Sequence, residues 1–103
     1  MTGRLTARAD VLTEAPARYA KQLVSHLGHK AQVEQVPDDP SAHRLKLSAG
    51  TGVIRAEQGR LVMRASAADA ERLANVEGVL GRHLEKFGRR NELVVTWQRD
   101  TGE

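Results

Sequence analysis

The sequence contains no cysteine, which excludes disulfide bonds, thiolate nucleophiles and cysteine-ligated iron–sulfur clusters. It also lacks any run of the roughly 20 apolar residues that a transmembrane helix needs. The N-terminal stretch, residues 1–11, is too polar and too regularly alternating to form the apolar core of a secretory signal peptide. Together these absences predict a cytoplasmic protein.

Aromatic residues are scarce, since Tyr19, Phe87 and Trp97 are the only ones in 103 residues. The core must therefore be built from Leu, Val and Ala. Charge of one sign is not in strong excess either, because 16 basic residues accompany 13 acidic ones and the net charge is +3. A nucleic-acid surface usually clusters its charge on one face beside stacking aromatics. The sequence therefore disfavours nucleic-acid binding, although a small anionic partner remains compatible with the charge.

Hydrophobic periodicity predicts a single domain, residues 1–103, with six strands and two helices. The predicted strands, in which apolar and polar residues alternate, are residues 4–11, 30–34, 43–47, 53–57, 60–65 and 92–98. Two other stretches repeat apolar residues at helical spacing and end at Gly28 and Gly88. The order β-α-β-β-β-β-α-β with short connections predicts an α+β two-layer sandwich. We expect a largely antiparallel sheet of about six strands with two helices on one face.

Local signals indicate where the helices begin and end. Thr13 is a candidate N-cap for the first helix, and Gly28 is placed where a left-handed glycine would end it. Ser66 with Asp69 three residues later resembles a capping box for the second helix, with Asp replacing the usual Glu or Gln. Residues 58–59, Gln-Gly, should form the turn of a hairpin.

Histidines near the predicted helix ends are the candidate metal ligands. His26 and His29 lie three positions apart in the segment SHLGHK. A metal site needs three or four ligands, and His83 could supply a third and Glu85 or Glu77 a carboxylate, for a transition metal. The spacing does not establish that these side chains meet. The simpler interpretation is that the histidines interact with the helix dipole and the last carbonyl groups.

Familiar enzyme signatures are missing from the chain. Residues 48–52, SAGTG, lack the Gly-Lys-Ser/Thr ending of a phosphate-binding loop and lie between predicted strands. No nucleophile elbow is present. A Ser25 or Ser48 nucleophile beside a histidine is one catalytic possibility. A small hydrolase or isomerase that uses one of the histidines as general base is kept as an alternative. His43 is interpreted as an ordinary strand residue, and a non-enzymatic protein is favoured.

Basic residues follow the ends of both predicted helices. Lys30 comes after the first, and Arg89 and Arg90 come after the second. Arginine side chains can hold a carboxylate or phosphate bidentately, so these three residues are the predicted anion contacts. A solvated arginine pair in a loop is the simpler interpretation.

Two segments, RYAKQLVSHLGHK at residues 18–30 and VLGRHLEKFGRRNELVVTWQR at residues 79–99, together resemble a bacterial family catalogued as domain-of-unknown-function 2218. The resemblance extends through the intervening residues and covers nearly the whole chain. The residues that match the family pattern are His26, His29, Lys30, His83, Glu85, Phe87, Glu92 and Trp97. Relatives tend to carry bulkier, more aromatic residues at positions 27–28 and 88–90.

The resemblance implies a link to iron, because such proteins are often encoded near siderophore-utilisation functions, including flavin-dependent siderophore-interacting reductases. It favours a non-enzymatic accessory protein that binds a siderophore, its released iron or a reductase partner, with His26, His29, His83 and Glu85 as ligands. A further alternative is a protein–protein interaction module, for example a homodimer formed through an exposed strand edge at residues 4–11.

Overall fold

The computed structural model of the protein describes residues 4–29, 31–37, 39, 41–88 and 93–99. Its elements are β1 (Leu5–Leu12), α1 (Pro16–Leu27), β2 (Gln32–Gln35), β3 (Ala42–Lys46), β4 (Thr51–Glu57), β5 (Arg60–Ala67), α2 (Ala70–Phe87) and β6 (Gln98–Arg99). This is the predicted order of elements. The strands form one six-stranded antiparallel sheet, and the two helices cover one of its faces. The α+β sandwich expected from the sequence is therefore confirmed.

The strands are arranged in the sheet in the order β2-β3-β4-β5-β1-β6. β1 pairs with β5 along its whole length, and on its other side Ala7 and Arg8 pair with β6. The expectation of an exposed strand edge at residues 4–11 was therefore wrong. It failed because the end of the chain returns to pair with β1, which periodicity within β1 could not indicate.

The core lies between the sheet and the helices. Inward side chains of β1 and β5 alternate with outward ones, as Ala7 and Ala9 on β1 illustrate at 1% exposure each. α2 contributes Leu73, Val76, Leu80 and Leu84, which follow the helical spacing of apolar residues before Gly88 and are each 0% exposed. Burying a leucine of this kind stabilises a fold by about 1.5–3 kcal/mol. Tyr19 is the only aromatic side chain in the buried set that the structure describes, so the core is aliphatic, as expected.

The start and end of α1 differ from the sequence-based expectation. Ala15, rather than Thr13, is the N-cap residue, and no side chain caps the helix there. The Thr13 hydroxyl instead accepts a hydrogen bond from the Ala15 amide, at 3.1 Å. Gly28 follows the helix with φ of −61° and ψ of −16°, so it is right-handed. The left-handed cap was a wrong prediction, because the helical turn continues until the Ala31 amide donates to the Leu27 carbonyl.

α2 begins three residues later than the predicted capping box implies. Ser66 belongs to β5, where it pairs with Thr6 and Thr51. Asp69 is itself the N-cap and accepts a hydrogen bond from the Arg72 amide, at 2.8 Å. The box was assigned wrongly because the sheet extends β5 through Ala67, beyond its apolar alternation. The predicted hairpin turn at residues 58–59 is confirmed, with Gly59 at φ of 77°.

The C-terminal segment alternates as predicted without forming the predicted strand. Leu93, Val95 and Trp97 pack against the core, whereas Val94 is 68% exposed. Residues 93–97 are nevertheless not a strand, and only Gln98 and Arg99 pair with β1. The segment packs on α2 instead of extending the sheet. Glu92, the first predicted strand residue, lies outside the described residues.

Neither α1 nor α2, the helices of the described ranges, combines the length and the apolar character that crossing a lipid bilayer requires.

Candidate functional site

The structure brings His26 and His83 together. His26 lies in the last turn of α1, and His83 lies one turn before the end of α2. Their ring centroids are 5.0 Å apart, with the ring planes tilted by 46°. Phe87, one turn further along α2, meets the His26 ring edge-on at a centroid distance of 5.3 Å. Two residues 57 positions apart in sequence therefore form a single imidazole pair beside an aromatic ring.

A backbone carbonyl fixes the orientation of the half-buried His83 ring. Its Nδ1 lies 2.6 Å from the carbonyl oxygen of Val79, one helical turn earlier. A carbonyl oxygen can only accept, so Nδ1 is the nitrogen that carries the proton. In the neutral ring the lone pair is then on Nε2. This arrangement resembles histidines at metal sites, where one ring nitrogen donates to a carbonyl and the other ligates the metal.

The other predicted site residues near α1 are only partly described. His29 is exposed and follows the helix end by two positions. Lys30, Arg89 and Arg90 lie outside the described residues. His43 is on the helix-facing side of the sheet together with Leu45, and its Nδ1 is buried with no hydrogen-bond partner among the residues that the structure describes. His43 is half-buried and therefore less accessible to a ligand than the exposed His26 and His29.

Glu85 anchors the C-terminal segment to α2. Its Oε2 accepts a hydrogen bond from the Val95 amide, at 3.0 Å. Two positions on a helix are separated by about 200°, so Glu85 and His83 project from different sides of α2. About two turns earlier, Glu77 accepts two hydrogen bonds from Arg99, of 3.0 and 3.1 Å. The hydrogen bond that Arg99 donates to the Glu77 carboxylate raises the pKa of Arg99.

Glu85 and Glu77 also border a shallow cavity of about 270 Å³ between α2 and the C-terminal segment. Gly81 makes this close packing possible, because a Cβ there would lie 3.2 Å from Nε1 of Trp97 and 3.3 Å from Cγ1 of Val95. Across the described ranges, no group of three or more His, Asp or Glu side chains is arranged to hold a metal ion. The imidazole pair and the Glu85 anchor are therefore separate features.

Sequence reasoning missed a second cluster, on the face of the sheet that the helices leave open. The charged side chains that point outward from β1 to β5 are the cations Arg8, Arg44, Lys46, Arg55, Arg60 and Arg64 and the carboxylates Asp10, Glu34 and Glu57. These cations come from four strands and are brought together only by the strand register. A signal was nevertheless present, because every one of them occupies a polar position in an alternating strand.

The carboxylates on this open face are each shared between two cations. Asp10 binds Arg8 at 2.7 Å and Arg60 at 3.2 Å. Glu57 binds Arg60, at 2.9 Å, and Arg55. The hydrogen bond from Arg8 lowers the pKa of Asp10, and the hydrogen bond from Arg60 lowers the pKa of Glu57. Positive charge therefore exceeds negative charge on this face.

Comparison with known proteins places the chain in a family. The family model described as "Uncharacterized protein conserved in bacteria (DUF2218)" matches residues 8–98. Among solved structures, the chain is similar to the NMR structure of PA4090 from Pseudomonas aeruginosa, with 28% sequence identity and a TM-score of 0.69. That similarity covers 95% of this chain and 96% of the other. No curated protein matches the chain.

The family match covers β2 to β5, both helices, part of β1 and of β6, and both members of the imidazole pair. The resemblance seen in the segments around His26 and His83 is thereby confirmed. The protein belongs to the bacterial family of domain of unknown function 2218.

Proposed function

We propose that the protein is a non-enzymatic accessory binding protein in siderophore-iron handling, and that His26 and His83 form its contact with iron. The observation that carries the proposal is the 5.0 Å separation of the two imidazole rings. The family resemblance, to proteins encoded near siderophore-utilisation functions, is the reason for proposing a ferric chelate as the ligand.

The ring separation suits two imidazoles that share one metal ion. With metal–nitrogen bonds of about 2.0–2.1 Å, the centroids of two rings on one ion are roughly 5 Å apart. The Nδ1 proton of His83 is engaged by the Val79 carbonyl, which leaves Nε2 as the ligating atom. His26 is exposed at the end of α1, so a metal complex can approach it from solvent.

Two imidazoles suit a metal that a chelator already holds in part. Structural and catalytic sites for a free ion use three or four protein ligands, and the described residues hold no such group. A chelate that leaves one or two coordination positions open needs no more than this pair. Imidazole is a suitable ligand for iron as well as for zinc and copper.

The remaining predicted contacts follow the two helix ends in sequence. His29 and Lys30 come directly after α1, and Arg89 and Arg90 come directly after the α2 cap, Gly88. In this proposal Lys30, Arg89 and Arg90 contact the anionic part of the chelate, and His29 is a further candidate ligand for the metal. Glu85 supports the site indirectly by holding the C-terminal segment against α2.

The test follows the side-chain nitrogens of the four histidines by NMR while Zn(II), and then ferric citrate, is added to the wild-type protein. We expect selective shifts with zinc, and selective broadening with ferric citrate, at His26 and His83. His43, whose Nδ1 is buried, serves as the internal control. His26→Ala and His83→Ala should each abolish the response at the other ring. The proposal fails if all four histidines respond alike, or if His26 and His83 ignore both probes.

A further inference from the structure

The open face of the sheet places two arginines directly opposite each other. In the antiparallel register of β1 and β5, Arg8 pairs with Arg64, and both side chains point away from the helices. Like charges directly opposite on neighbouring strands destabilise a sheet. The arrangement therefore has a cost in stability unless an anion lies between the two guanidinium groups.

Of these two arginines, only Arg8 forms an ion pair with a carboxylate in the described residues, whereas Arg64 acts on Asp10 only through a longer-range attraction. The Arg8 guanidinium makes two hydrogen bonds to Asp10, at 2.7 and 3.2 Å. Arg64 is exposed and has no ion-pair partner among the residues that the structure describes. Arg64 is thus the place on this face where positive charge is least compensated.

A depression of about 360 Å³ lies beside the arginine pair. Three hydroxyl side chains border it, those of Thr6, Thr51 and Ser66, together with Arg8 and Arg64. The three hydroxyl residues form the next row across the sheet, since Ser66 pairs with both Thr6 and Thr51. Because the hydroxyl side chains are short and the neighbouring arginines are long, a depression is left between the two rows. Both kinds of side chain supply hydrogen-bond donors around it.

A second, smaller depression of about 160 Å³ continues on the other side of Arg64. Arg64 and Val53 border both depressions. The smaller one has an apolar floor that includes Val62 and Ala42, which are only 2% and 3% exposed. A ligand that reaches across Arg64 therefore meets hydroxyl donors at one end. At the other end it meets an apolar floor that is bordered by the charged side chains of Asp39, Arg44 and Arg55.

We propose that this face binds a small phosphate monoester, with the phosphoryl group between Arg8, Arg64 and the hydroxyl row and the organic group over Val53 and Val62. Guanidinium groups bind phosphate and carboxylate oxygens bidentately. A phosphoryl dianion offers three oxygens and about two negative charges, which suits two guanidiniums and several hydroxyls better than a carboxylate does.

The alternative of a nucleic-acid strand is not favoured on this face. Proteins that bind single-stranded nucleic acids stack the bases on aromatic side chains. Here Tyr19 and Phe87 belong to the helix layer, and Trp97 packs beside Gly81 of α2. The phosphate site is also on the opposite face of the sheet from His26 and His83, so it is independent of the proposed iron contact. Either site can fail its test while the other holds.

The test is an NMR titration of backbone amides and arginine Nε–H groups at constant ionic strength, with phenyl phosphate, inorganic phosphate and benzoate as probes. We expect saturable shifts at Arg8, Arg64, Thr51 and Ser66. Phenyl phosphate should bind more tightly than inorganic phosphate, because its ring covers the apolar floor, and benzoate should bind least.

Variants on the same face separate a site from a general charge effect. Because a charge-assisted hydrogen bond is lost, Arg64→Gln should weaken phenyl phosphate binding by about tenfold or more. Arg60→Gln removes the same charge from a residue that borders neither depression, and it should change the affinity by less than about twofold. A dispersed amide spectrum of each variant confirms folding.

Three results would overturn the proposal. The first is a linear response that does not saturate, or that sodium chloride reproduces. The second is an equal loss of affinity in the Arg64 and Arg60 variants. The third is equal affinity for benzoate and phenyl phosphate, which would show that the site does not prefer a phosphoryl group to a carboxylate. Thr51→Val provides a second variant, and unchanged phenyl phosphate affinity in it would argue against the hydroxyl row.

Discussion

Arg8 and Arg64 occupy directly opposed positions on β1 and β5, and only Arg8 has a carboxylate partner, Asp10, in the described chain. Like charges in directly opposed positions lower the stability of the fold in the absence of a ligand. Residues kept at a cost in stability commonly belong to functional sites.

The first prediction is that Arg64→Gln stabilises the protein in phosphate-free buffer. Removing one charge of a directly opposed like-charged pair should raise the free energy of unfolding by about 0.2–1 kcal/mol. Urea unfolding of wild type and variant, followed by circular dichroism, measures the difference. Arg44→Gln, which instead removes a cation at 3.8 Å from Glu34, is the matched control and should not stabilise. A destabilised Arg64 variant would show that its side chain contributes packing rather than repulsion.

The second prediction concerns Asp10, which accepts two hydrogen bonds from the guanidinium of Arg8. Asp10→Asn removes the internal anion and leaves Arg8 free to bind an external one. We expect phenyl phosphate to bind several-fold more tightly, since each tenfold in affinity corresponds to only about 1.4 kcal/mol. Isothermal titration calorimetry at fixed ionic strength gives the comparison. Weaker binding by the variant would mean that Asp10 orients Arg8 instead of competing for it.

The third prediction is a loss of stability in acid that originates on the open face. Hydrogen bonds from Arg8 and Arg60 lower the pKa of Asp10 and of Glu57 in the folded chain. Their contribution is therefore complete above the unfolded-state pKa values, about 3.9 for Asp and 4.3 for Glu. It is lost as the pH falls through the lower folded-state values. Urea unfolding between pH 6 and pH 2 should show this decline, and it should be shallower in Asp10→Asn. An identical pH profile in that variant would assign the acid sensitivity to other groups.

The fourth prediction contrasts two glycines. At Gly50 a methyl group would collide with the backbone oxygen of Ser66 and crowd Val76, so Gly50→Ala should lower the free energy of unfolding by about 1–3 kcal/mol. At Gly78, within α2, a methyl group meets only the flexible Arg82 side chain. Because alanine is the better helix former, Gly78→Ala should stabilise the protein by up to about 1 kcal/mol. Thermal and urea unfolding of both variants test the contrast, and equal effects of the same sign would contradict it.

The sequence was sufficient to predict the elements and the fold class because each element has a clear local period. The stripe from Leu73 to Leu84 and the alternation in β1 are properties of neighbouring residues, and both were predicted correctly. Element ends were predicted less well. Ser66 extends β5 instead of capping α2, and Gly28 remains right-handed, because contacts with other parts of the chain decide these positions.

The candidate sites depend on long-range contacts, which explains what the sequence could and could not predict. His26 and His83 were proposed together, but only the packing of α1 beside α2 shows that their rings meet. The Arg8–Arg64 pair was missed because it requires the antiparallel register of β1 and β5. In the sequence these arginines are interspersed with acidic residues, so no segment is strongly basic. In the sheet they lie on one face.

The last prediction concerns Glu85, which the sequence indicated as a metal ligand and whose carboxylate accepts from the Val95 amide. Glu85→Gln keeps an acceptor oxygen for that amide and removes the negative charge. If Glu85 positions the C-terminal segment, this variant should retain wild-type stability and an unchanged zinc response at His26 and His83. Glu85→Ala leaves the Val95 amide without its partner and should lower the free energy of unfolding by about 1–3 kcal/mol. A weaker zinc response in Glu85→Gln, measured in the same histidine NMR titration, would instead make the carboxylate a third ligand.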